Sequence, residues 1–469
     1  MSKSNEKSTS EKLMEIINEL HLFGDSSDRG WARVNGHCYP VQSSQFESWL
    51  QWKYYDFHEE VPSDNAINRV LKQAVSKTLY DDSVLENVNV RVSKQSETII
   101  IDRASEYGTN KIEITGVGWQ EGTSKISNFW RPKAMRSLPR PAKGGSIHDL
   151  RKFLNVKSDS DFRLLIAWLL TAHNPEIACP ILVLQGEQGS AKSTTARILR
   201  SLVDPNGAPI RSAPKDEGEM IIQAQNSRVL CLDNLSGLKK WLSDALCRIC
   251  SGTGFSTRLL YTDDDEKIYK VKRPIILNGI DEIATRGDLL DRSIVLNLPA
   301  IPSDERRDER KLWDEFKQKQ PYILGALYNA ISVGLAAVKP KLKELPRMAD
   351  FAEWVTRCET AFNWESGTLL NDYKNNKKEA IETGLDSDYT ACAIRNIVKQ
   401  ETQYQGTATD LLERIRKMYP DVNQKYLPTN RTLKNRLQRL APALRKVGIE
   451  YEYKRTNSAR LHIIKSNGM

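Results

Sequence analysis

The sequence predicts an α/β protein built around a parallel sheet that is covered by helices on both faces. Short apolar runs alternate with helical stretches, as in parallel sheets that are buried on both sides. One of these runs also leads through a glycine-containing loop directly into a helical segment. The runs that we expect to form the strands are 181–184, 208–211, 229–232, 274–277 and 293–298.

Length and composition narrow the class of protein. The 469 residues are too many for one ordinary core, and 39% hydrophobic with 28% charged residues is typical of a globular chain. No run reaches the roughly 18 apolar residues of a membrane span, and the polar N-terminus lacks the apolar stretch of a secretory signal. The seven cysteines have no framework spacing, which suits a reducing compartment. We therefore expect a cytoplasmic protein that does not contact membranes.

Five regions are expected along the chain. Residues 131–145, rich in proline, glycine and basic side chains, are typical of a linker, and strand-like runs at 98–102 and 111–115 precede them. A wholly helical pattern follows the last apolar run. The predicted regions are a disordered tail (1–12), an N-terminal α+β domain (13–145), the α/β core (146–303), a helical region (304–400) and a C-terminal domain (401–469).

The C-terminal domain is basic. From Glu401 onward, 14 Lys or Arg stand against 6 Asp or Glu, so +8 of the total net charge of +9 lies there. A basic end on a nearly neutral body is typical of a protein that binds nucleic acid. We therefore expect DNA as a partner.

The loop after the first apolar run predicts a nucleotide site. The sequence GEQGSAKST at 186–194 lies between a strand and a helix, the context that a P-loop requires. Lys192 would reach the β- and γ-phosphates of ATP, and the Ser193 hydroxyl would bind Mg²⁺. Ala191 stands where the motif has its second glycine, so its Cβ is expected to crowd the phosphates or strain the backbone. The predicted nucleotide contacts are Gly186, Glu187, Gln188, Gly189, Ser190, Ala191, Lys192, Ser193 and Thr194.

A carboxylate at the end of the third run predicts the second half of this site. Asp233 would hold the water shell of the Mg²⁺ ion. The next catalytic position, where most such ATPases have a glutamate base, is Asn234, which cannot accept a proton. Either another carboxylate is the base or hydrolysis is slow. The candidate carboxylates are Glu187 within the loop and Glu217 and Glu219 upstream of Asp233.

Three further polar residues complete the predicted catalytic set. Asn278 ends the next run, where its amide would orient the attacking water, although a strand-terminal Asn is otherwise a turn residue. Arg292, and as second choice Arg286, precede the last run. An arginine at this place in assembled ATPases crosses to the γ-phosphate of a neighbouring subunit, where its charge stabilises the transition state. The alternative is an ordinary surface arginine.

Two strand-like arms around an acidic turn predict a β-hairpin at 257–272. In a ring of subunits such a hairpin would project into the central pore. Its four acidic residues at 263–266 are poor phosphate contacts, so the flanking basic residues are the candidates for DNA binding. They are Arg258, Lys267 and Lys270.

The C-terminal domain has the order of a winged helix. A helix capped by Thr407 is followed by a longer one, in which an apolar stripe (Leu433, Leu437, Leu440, Leu444 and Val447) opposes a polar face. Two strand-like runs then form a basic hairpin. The alternative is a protein-binding module with a solvated basic face. The predicted DNA contacts are Arg431, Lys434, Asn435 and Gln438 on the helix and Lys454, Arg455 and Arg460 on the wing.

Taken together, the motifs resemble those of one family. They are similar to the ATPase domain of superfamily 3 and minichromosome-maintenance-like replicative helicases of phages and mobile elements, relatives of the poxvirus-type primase–helicases. The resemblance is strong over about 150–300. It implies an AAA+ core, a hexameric ring and ATP-driven movement on DNA, from which Ala191 and Asn234 depart. The motifs are GEQGSAKST (186–194), LDNLS (232–236), LSDALCR (242–248), RLLYTD (258–263) and DLLDRS (288–293).

Two functions remain open from the sequence. The first is an ATP-dependent, ring-forming DNA helicase for the replication of a phage or mobile element, without primase activity, because no pair of acidic metal ligands with a partner His precedes residue 150. The second is an ATP-gated initiator or regulator that assembles on DNA without unwinding it. Asn234 favours the initiator, whereas the hairpin and the arginine motif favour the helicase.

Overall fold

The computed structural model describes residues 7–81, 85–105, 111–122, 127–258, 266–279, 283, 286–342, 344–423, 426–456 and 459–466. In this part of the chain the strands form several sheets, with helices between them in sequence, and the predicted α/β class with a parallel sheet is confirmed. None of the described helices combines the length and the apolar character that a bilayer span requires.

The N-terminal helices and strands form a small α+β unit with its own core. Its three strands make an antiparallel sheet in the order β1-β2-β3. A capping box between Ser8 and Glu11 starts the first helix, and Leu13, Phe46 and Leu50 are fully buried in the core. The elements are α1 (Thr9–Asn18), β1 (His21–Gly24), β2 (Gly30–Val34), β3 (His37–Pro40), α2 (Ser44–His58) and α3 (Asp64–Tyr80).

A second antiparallel sheet follows, in the order β5-β6-β7-β8. Its two middle strands coincide with the predicted strand-like runs at 98–102 and 111–115. Isoleucines from these strands, such as Ile99 and Ile112, are buried in the same core as the parallel sheet, so this core includes residues on both sides of position 145. The strands of this sheet are β5 (Val92–Gln95), β6 (Thr98–Asp102), β7 (Lys111–Thr115) and β8 (Gly118–Glu121). The short strands β4 (Val88–Asn89) and β9 (Asn128–Phe129) flank it in sequence and pair with each other in parallel.

The parallel sheet has the strand order β11-β14-β10-β15. Four of the five predicted runs are therefore strands of one sheet. The run at 208–211 instead makes a single parallel bridge, from Arg211 to Leu232, because Pro209 lacks the N–H that a longer ladder needs. The elements are a 3₁₀ helix (Ile147–Phe153), α4 (Asp159–Ala172), β10 (Ile181–Gln185), α5 (Lys192–Val203), α6 (Glu217–Gln225), β11 (Leu230–Leu235), α7 (Lys240–Ser251), β12 (Phe255–Arg258), β13 (Glu266–Tyr269), β14 (Ile275–Gly279), α8 (Gly287–Leu290) and β15 (Ser293–Asn297).

Helices follow the sheet, as predicted for 304–400, and a three-stranded antiparallel sheet in the order β16-β18-β17 lies near the C-terminus. The predicted cap is present, since the Thr407 side chain accepts a hydrogen bond from the Asp410 N–H. The first strand of this sheet was not predicted. The elements are α9 (Glu309–Ala336), α10 (Ala349–Cys358), a 3₁₀ helix (Glu359–Phe362), α11 (Thr368–Asp386), α12 (Tyr389–Glu401), β16 (Gln403–Thr407), α13 (Ala408–Met418), α14 (Asn430–Lys446), β17 (Ile449–Arg455) and β18 (Arg460–Ser466).

Residues 131–145 are held against the body of the protein. The Ala142 N–H donates to the carbonyl of Pro321 in α9 over 2.9 Å. A Cβ at Gly325 would lie 1.9 Å from the carbonyl oxygen of Ala142, so this segment and α9 approach as closely as only a glycine permits. Residues 131–145, which were predicted to be a linker, are therefore an ordered segment that packs against α9.

Candidate nucleotide-binding site

The 186–194 loop connects the end of β10 to the start of α5. Gly186 and Gly189 have φ of 143° and 84°, and Ala191 has φ of 58°. A Cβ at Gly186 would lie 2.4 Å from the carbonyl oxygen of Leu298, so no larger residue fits there. No side chain caps α5, which leaves the N–H groups of its first turn open to an anion.

Ala191 carries the backbone strain that its place in the motif predicts. It is the N-terminal cap of α5 and lies in the left-handed region. The left-handed conformation costs a residue with a Cβ about 1 kcal/mol, whereas glycine adopts it without this cost. The loop therefore adopts the conformation that glycine normally allows, at some cost in stability.

The side chain of Lys192 turns back into the 186–194 loop and forms hydrogen bonds with loop residues. Its Nζ donates to the carbonyl oxygens of Gly186 and Glu187, each over 2.7 Å, and to Ser190 Oγ over 3.2 Å. Burial lowers the pKa of the Lys192 ammonium, while the nearby Asp233 carboxylate acts in the opposite direction. The ammonium thus lies within the curve of the loop, held by three of the loop's own oxygen atoms.

Three side chains from three elements meet beside Lys192. Ser193 Oγ, in the first turn of α5, donates to Asp233 Oδ1 over 3.2 Å. The amide Nδ2 of Asn278, which is buried, donates to Ser193 Oγ over 3.0 Å and also to Asp233 Oδ1. The strand order explains this meeting, because β14 lies between β10 and β11 and brings Asn278 between the other two residues.

A bulge in β11 places Asp233. Leu232 pairs with Leu277 and Leu235 with Gly279, so two residues of β11 oppose the single Asn278. Bulges of this kind redirect side chains and are common next to active sites. The second bulge residue, Asn234, is exposed and has φ of 54°, a conformation that asparagine tolerates better than glutamate. The backbone thus gives a structural reason for Asn234 in place of the usual acid.

The three candidate base residues occupy different surroundings. Glu187 is exposed on the loop itself. The Glu217 carboxylate accepts a hydrogen bond from Arg248 Nη2 over 2.6 Å, and Glu219 accepts from the Lys215 N–H over 2.9 Å. Glu217 and Glu219 therefore already have partners in α6, α7 and the preceding turn.

Two residues beside the loop were missed by the sequence analysis. Asn155 Nδ2 donates to the carbonyl oxygens of Ser190 over 3.0 Å and Pro299 over 2.6 Å, which ties the loop to the segment after β15. The Arg306 guanidinium also borders the loop, since a Cβ at Gly189 would lie 3.3 Å from Arg306 Nη2. Neither residue belongs to a local motif, because only the fold brings them to the loop.

The two candidate arginines lie away from the loop of their own chain. The Ile181 N–H donates to the carbonyl of Arg292 over 2.8 Å, so Arg292 is at the start of β10 and the loop is at its end. Five strand residues separate these ends by about 13 Å. Arg292 is ion-paired with Asp288 and lines a cleft of about 750 Å³ between α6, α7 and α8. Arg286 is 3.0 Å from Asp244.

The predicted hairpin has paired arms. β12 and β13 are antiparallel, with Phe255 opposite Tyr269. β12 begins two residues before the predicted first arm, and β13 begins one residue and ends three residues before the predicted second arm. The acidic turn lies largely outside the described residues. The side chains of Arg258 and Lys267 are also outside the described part, whereas Lys270 is exposed after β13.

The C-terminal module, 389–466, presents one apolar and one polar face of α14. Leu433, Leu437 and Leu444 are fully buried, and Leu440 and Val447 pack against the same core. Arg431, Asn435 and Gln438 are exposed, and Lys434 Nζ lies 4.2 Å from the centre of the Tyr453 ring.

Three exposed basic residues lie at the end of the β17–β18 hairpin. Arg455 pairs directly with Arg460 across the two strands, and Lys454 precedes this pair. Like charges placed opposite each other destabilise a hairpin. A bound polyanion would relieve this repulsion.

Two family models match separate parts of the chain. Residues 147–377 match the model described as "Actinomycete integrative conjugative element replication protein", and residues 390–468 match "AICE RepA C-terminal domain". Together the matches cover about two thirds of the chain. No curated protein matches it significantly.

Similar solved structures include two of the NrS-1 C-terminal region without ligand. The A form is 12% identical with a TM-score of 0.41, and a second structure is 13% identical with a TM-score of 0.43. In both comparisons the alignment covers 98% of this chain and 100% of the other. The likeness is distant in sequence and in structure.

Proposed function

We propose that this chain, which resembles replication proteins of integrative conjugative elements in both matched regions, is an ATP-dependent DNA helicase of the AAA+ class. It would act in the replication of a mobile element. The observation that carries the proposal is the meeting of Lys192, Ser193, Asp233 and Asn278 at one edge of a parallel sheet. A lysine, a hydroxyl, a carboxylate and an amide in this order are the parts that phosphoryl transfer from ATP requires.

ATP and Mg²⁺ fit the residues that are present. The loop N–H groups and the uncapped start of α5 would bind the phosphates, and Lys192 would exchange its backbone acceptors for phosphate oxygens. Ser193 Oγ and the Asp233 carboxylate are oxygen ligands of the kind that Mg²⁺ prefers. The bound ion would supply positive charge against the phosphates. Asn278, which already holds both oxygen ligands, would keep them in place and orient the attacking water.

In a ring of subunits, Arg292 could contact nucleotide bound by the neighbouring subunit, which it cannot reach in its own chain. The ends of β10 separate Arg292 from the loop, so its guanidinium would act on nucleotide held by the next subunit. A hexamer is the assembly that we propose from the family resemblance. Glu187 is the base that the arrangement favours, because Glu217 and Glu219 are engaged in other contacts.

The C-terminal module is proposed to be a winged helix that binds duplex DNA. Its order of α12, β16, α13, α14, β17 and β18 places the polar face of α14 and the basic hairpin on the surface. In this interpretation α14 enters the major groove, and Lys454, Arg455 and Arg460 contact phosphates.

The second candidate function is an ATP-gated initiator that assembles on DNA without unwinding it. The exposed, left-handed Asn234 favours it, because this residue cannot replace the missing base. Slow hydrolysis would suit a switch better than a motor.

Strand displacement distinguishes the two functions. For the helicase we expect DNA-stimulated ATP hydrolysis and release of a labelled strand from a forked duplex, both dependent on Mg²⁺. The measurement is fluorescence of the released strand, with a non-hydrolysable ATP analogue as the control. ATP-dependent assembly on DNA without strand release would instead support the initiator.

Removing the opposed arginines of the hairpin should weaken DNA binding. The variant Arg455→Ala/Arg460→Ala is expected to bind duplex DNA less tightly and to flatten the plot of log K against log salt by roughly 0.9 per lost phosphate contact. Fluorescence anisotropy over a salt series measures this slope. Arg69→Ala/Lys72→Ala removes two exposed charges from α3 and serves as the matched control. Equal slopes in the two variants would assign the hairpin to a protein partner.

A further inference from the structure

The C-terminal module is joined to the central core through α11. Leu369 and Tyr373, in its first half, are buried in the central core, whereas Ile381 and Leu385, in its second half, are buried in the core of the C-terminal module. One continuous helix therefore belongs to both cores. A displacement of the C-terminal module would therefore be transmitted through α11 to the parts of the central core that α11 contacts.

On the central side, α11 holds the edge strand that follows Arg292. Asn376 Nδ2 donates to the Val295 carbonyl over 2.6 Å, and the Val295 N–H donates to Asn376 Oδ1 over 3.0 Å. This pair satisfies the backbone N–H and carbonyl of Val295 on the outer edge of β15, where no further strand pairs in the described part of the chain. Arg292 is thus fixed at the start of a strand whose free edge is occupied by α11.

Asp291, the residue before Arg292, is held by two lysines from two different helices. Lys377 Nζ, from α11, donates to the Asp291 carbonyl over 2.5 Å. Lys446 Nζ, at the end of α14, is 2.6 Å from Asp291 Oδ1. Burial lowers the pKa of Lys377 to about 8, and the Asp291 carboxylate opposes this shift. The end of α14 therefore contacts the residue next to the proposed trans-acting arginine.

We propose that Asp291 is a positioning residue for Arg292 and that Lys446 links it to α14, so that DNA bound by the C-terminal module alters hydrolysis at the neighbouring subunit. The proposal rests on the helicase function proposed above. Arg445, which is exposed, precedes Lys446 in the last turn of α14, so DNA that contacts this turn would lie close to the ion pair. A change in the pair would move Asp291, and with it the backbone from which the Arg292 side chain extends.

The Lys446–Asp291 ion pair is expected to contribute little to the stability of the fold. The Lys446 side chain is 47% exposed, and pairs at this level of exposure contribute little to stability. Its loss should therefore leave the fold and the hydrolysis without DNA in place. What it should remove is the communication between the two regions.

The test measures ATP hydrolysis by the full chain without DNA and at saturating forked duplex. Lys446→Ala should lower the DNA-stimulated increment by roughly fivefold or more, a typical allosteric coupling, and leave the rate without DNA unchanged. Lys446→Arg should restore the stimulation, because a guanidinium also pairs with Asp291. Lys417→Ala, which removes one exposed charge from α13 of the same module, is the matched control and should behave as the wild type.

Each other outcome overturns the proposal. Full stimulation of Lys446→Ala at saturating DNA would show that the ion pair carries no signal. An equal fall with and without DNA, or no recovery in Lys446→Arg, would assign Lys446 a structural role. Absence of DNA-stimulated hydrolysis in the wild type would refute the helicase function itself, and the coupling with it.

Discussion

Lys192→Ala is expected to lose ATP turnover by about 100-fold or more, the cost of removing one charge-stabilising donor from a reaction centre. The lysine contributes no apolar packing to a core, and its ammonium points into the loop, where it binds two carbonyl oxygens. Alanine would leave these carbonyls without that donor, so a small loss of stability accompanies the large loss of activity. Phosphate release measured on the purified variant, with circular dichroism to verify the fold, gives the result.

The control for this variant is a lysine outside the site. Lys399→Ala removes one positive charge from an exposed position on α12 and should keep full turnover. Undiminished turnover by a folded Lys192→Ala protein would end the assignment of the 186–194 loop to ATP. An equal loss in both variants would mean that net charge, and not the position of the ammonium, controls activity.

The central sheet was predictable because its signals are local. Four runs of apolar residues became β10, β11, β14 and β15, and the polar residue after each of two runs, Asp233 and Asn278, came together at one edge. Strand order was not readable from the runs themselves. It depends on which strand pairs with which, and the placement of β14 between β10 and β11 is what makes Asn278 the neighbour of Ser193.

The features that escaped prediction depend on distant contacts. Asn155 and Arg306 lie far from the loop in sequence and reach it only through the fold. The strand β16 has no apolar alternation to reveal it, since its residues QYQGT are mostly polar. It forms because β18 offers a free edge for backbone hydrogen bonding, and a tertiary context of that kind overrides local propensity.

Arg292→Ala provides the strictest test of the ring. The variant should bind ATP normally in its own loop, because Arg292 lies at the opposite end of β10, but hydrolyse it more slowly by roughly 10³-fold or more. Lys192→Ala should fail at the other half of the composite site. Mixing the two inactive variants creates some interfaces that combine an intact Lys192 with an intact Arg292 from the next subunit. Those interfaces should recover ATP hydrolysis, measured as phosphate release against the variant ratio.

Recovery in the mixture depends on subunit exchange, which a fluorescence-transfer pair on the two variants verifies directly. Arg286→Ala, which removes the second candidate, is the matched control. If Arg292 is the trans-acting residue, Arg286→Ala should retain most of its activity, because it removes a similar ion-paired arginine, partner of Asp244, and leaves Arg292 in place. If subunits exchange and the Arg292→Ala mixture stays as inactive as either parent, Arg292 does not act across an interface. A stable monomer with full DNA-stimulated hydrolysis would overturn the ring, because in one chain the length of β10 keeps Arg292 away from the nucleotide.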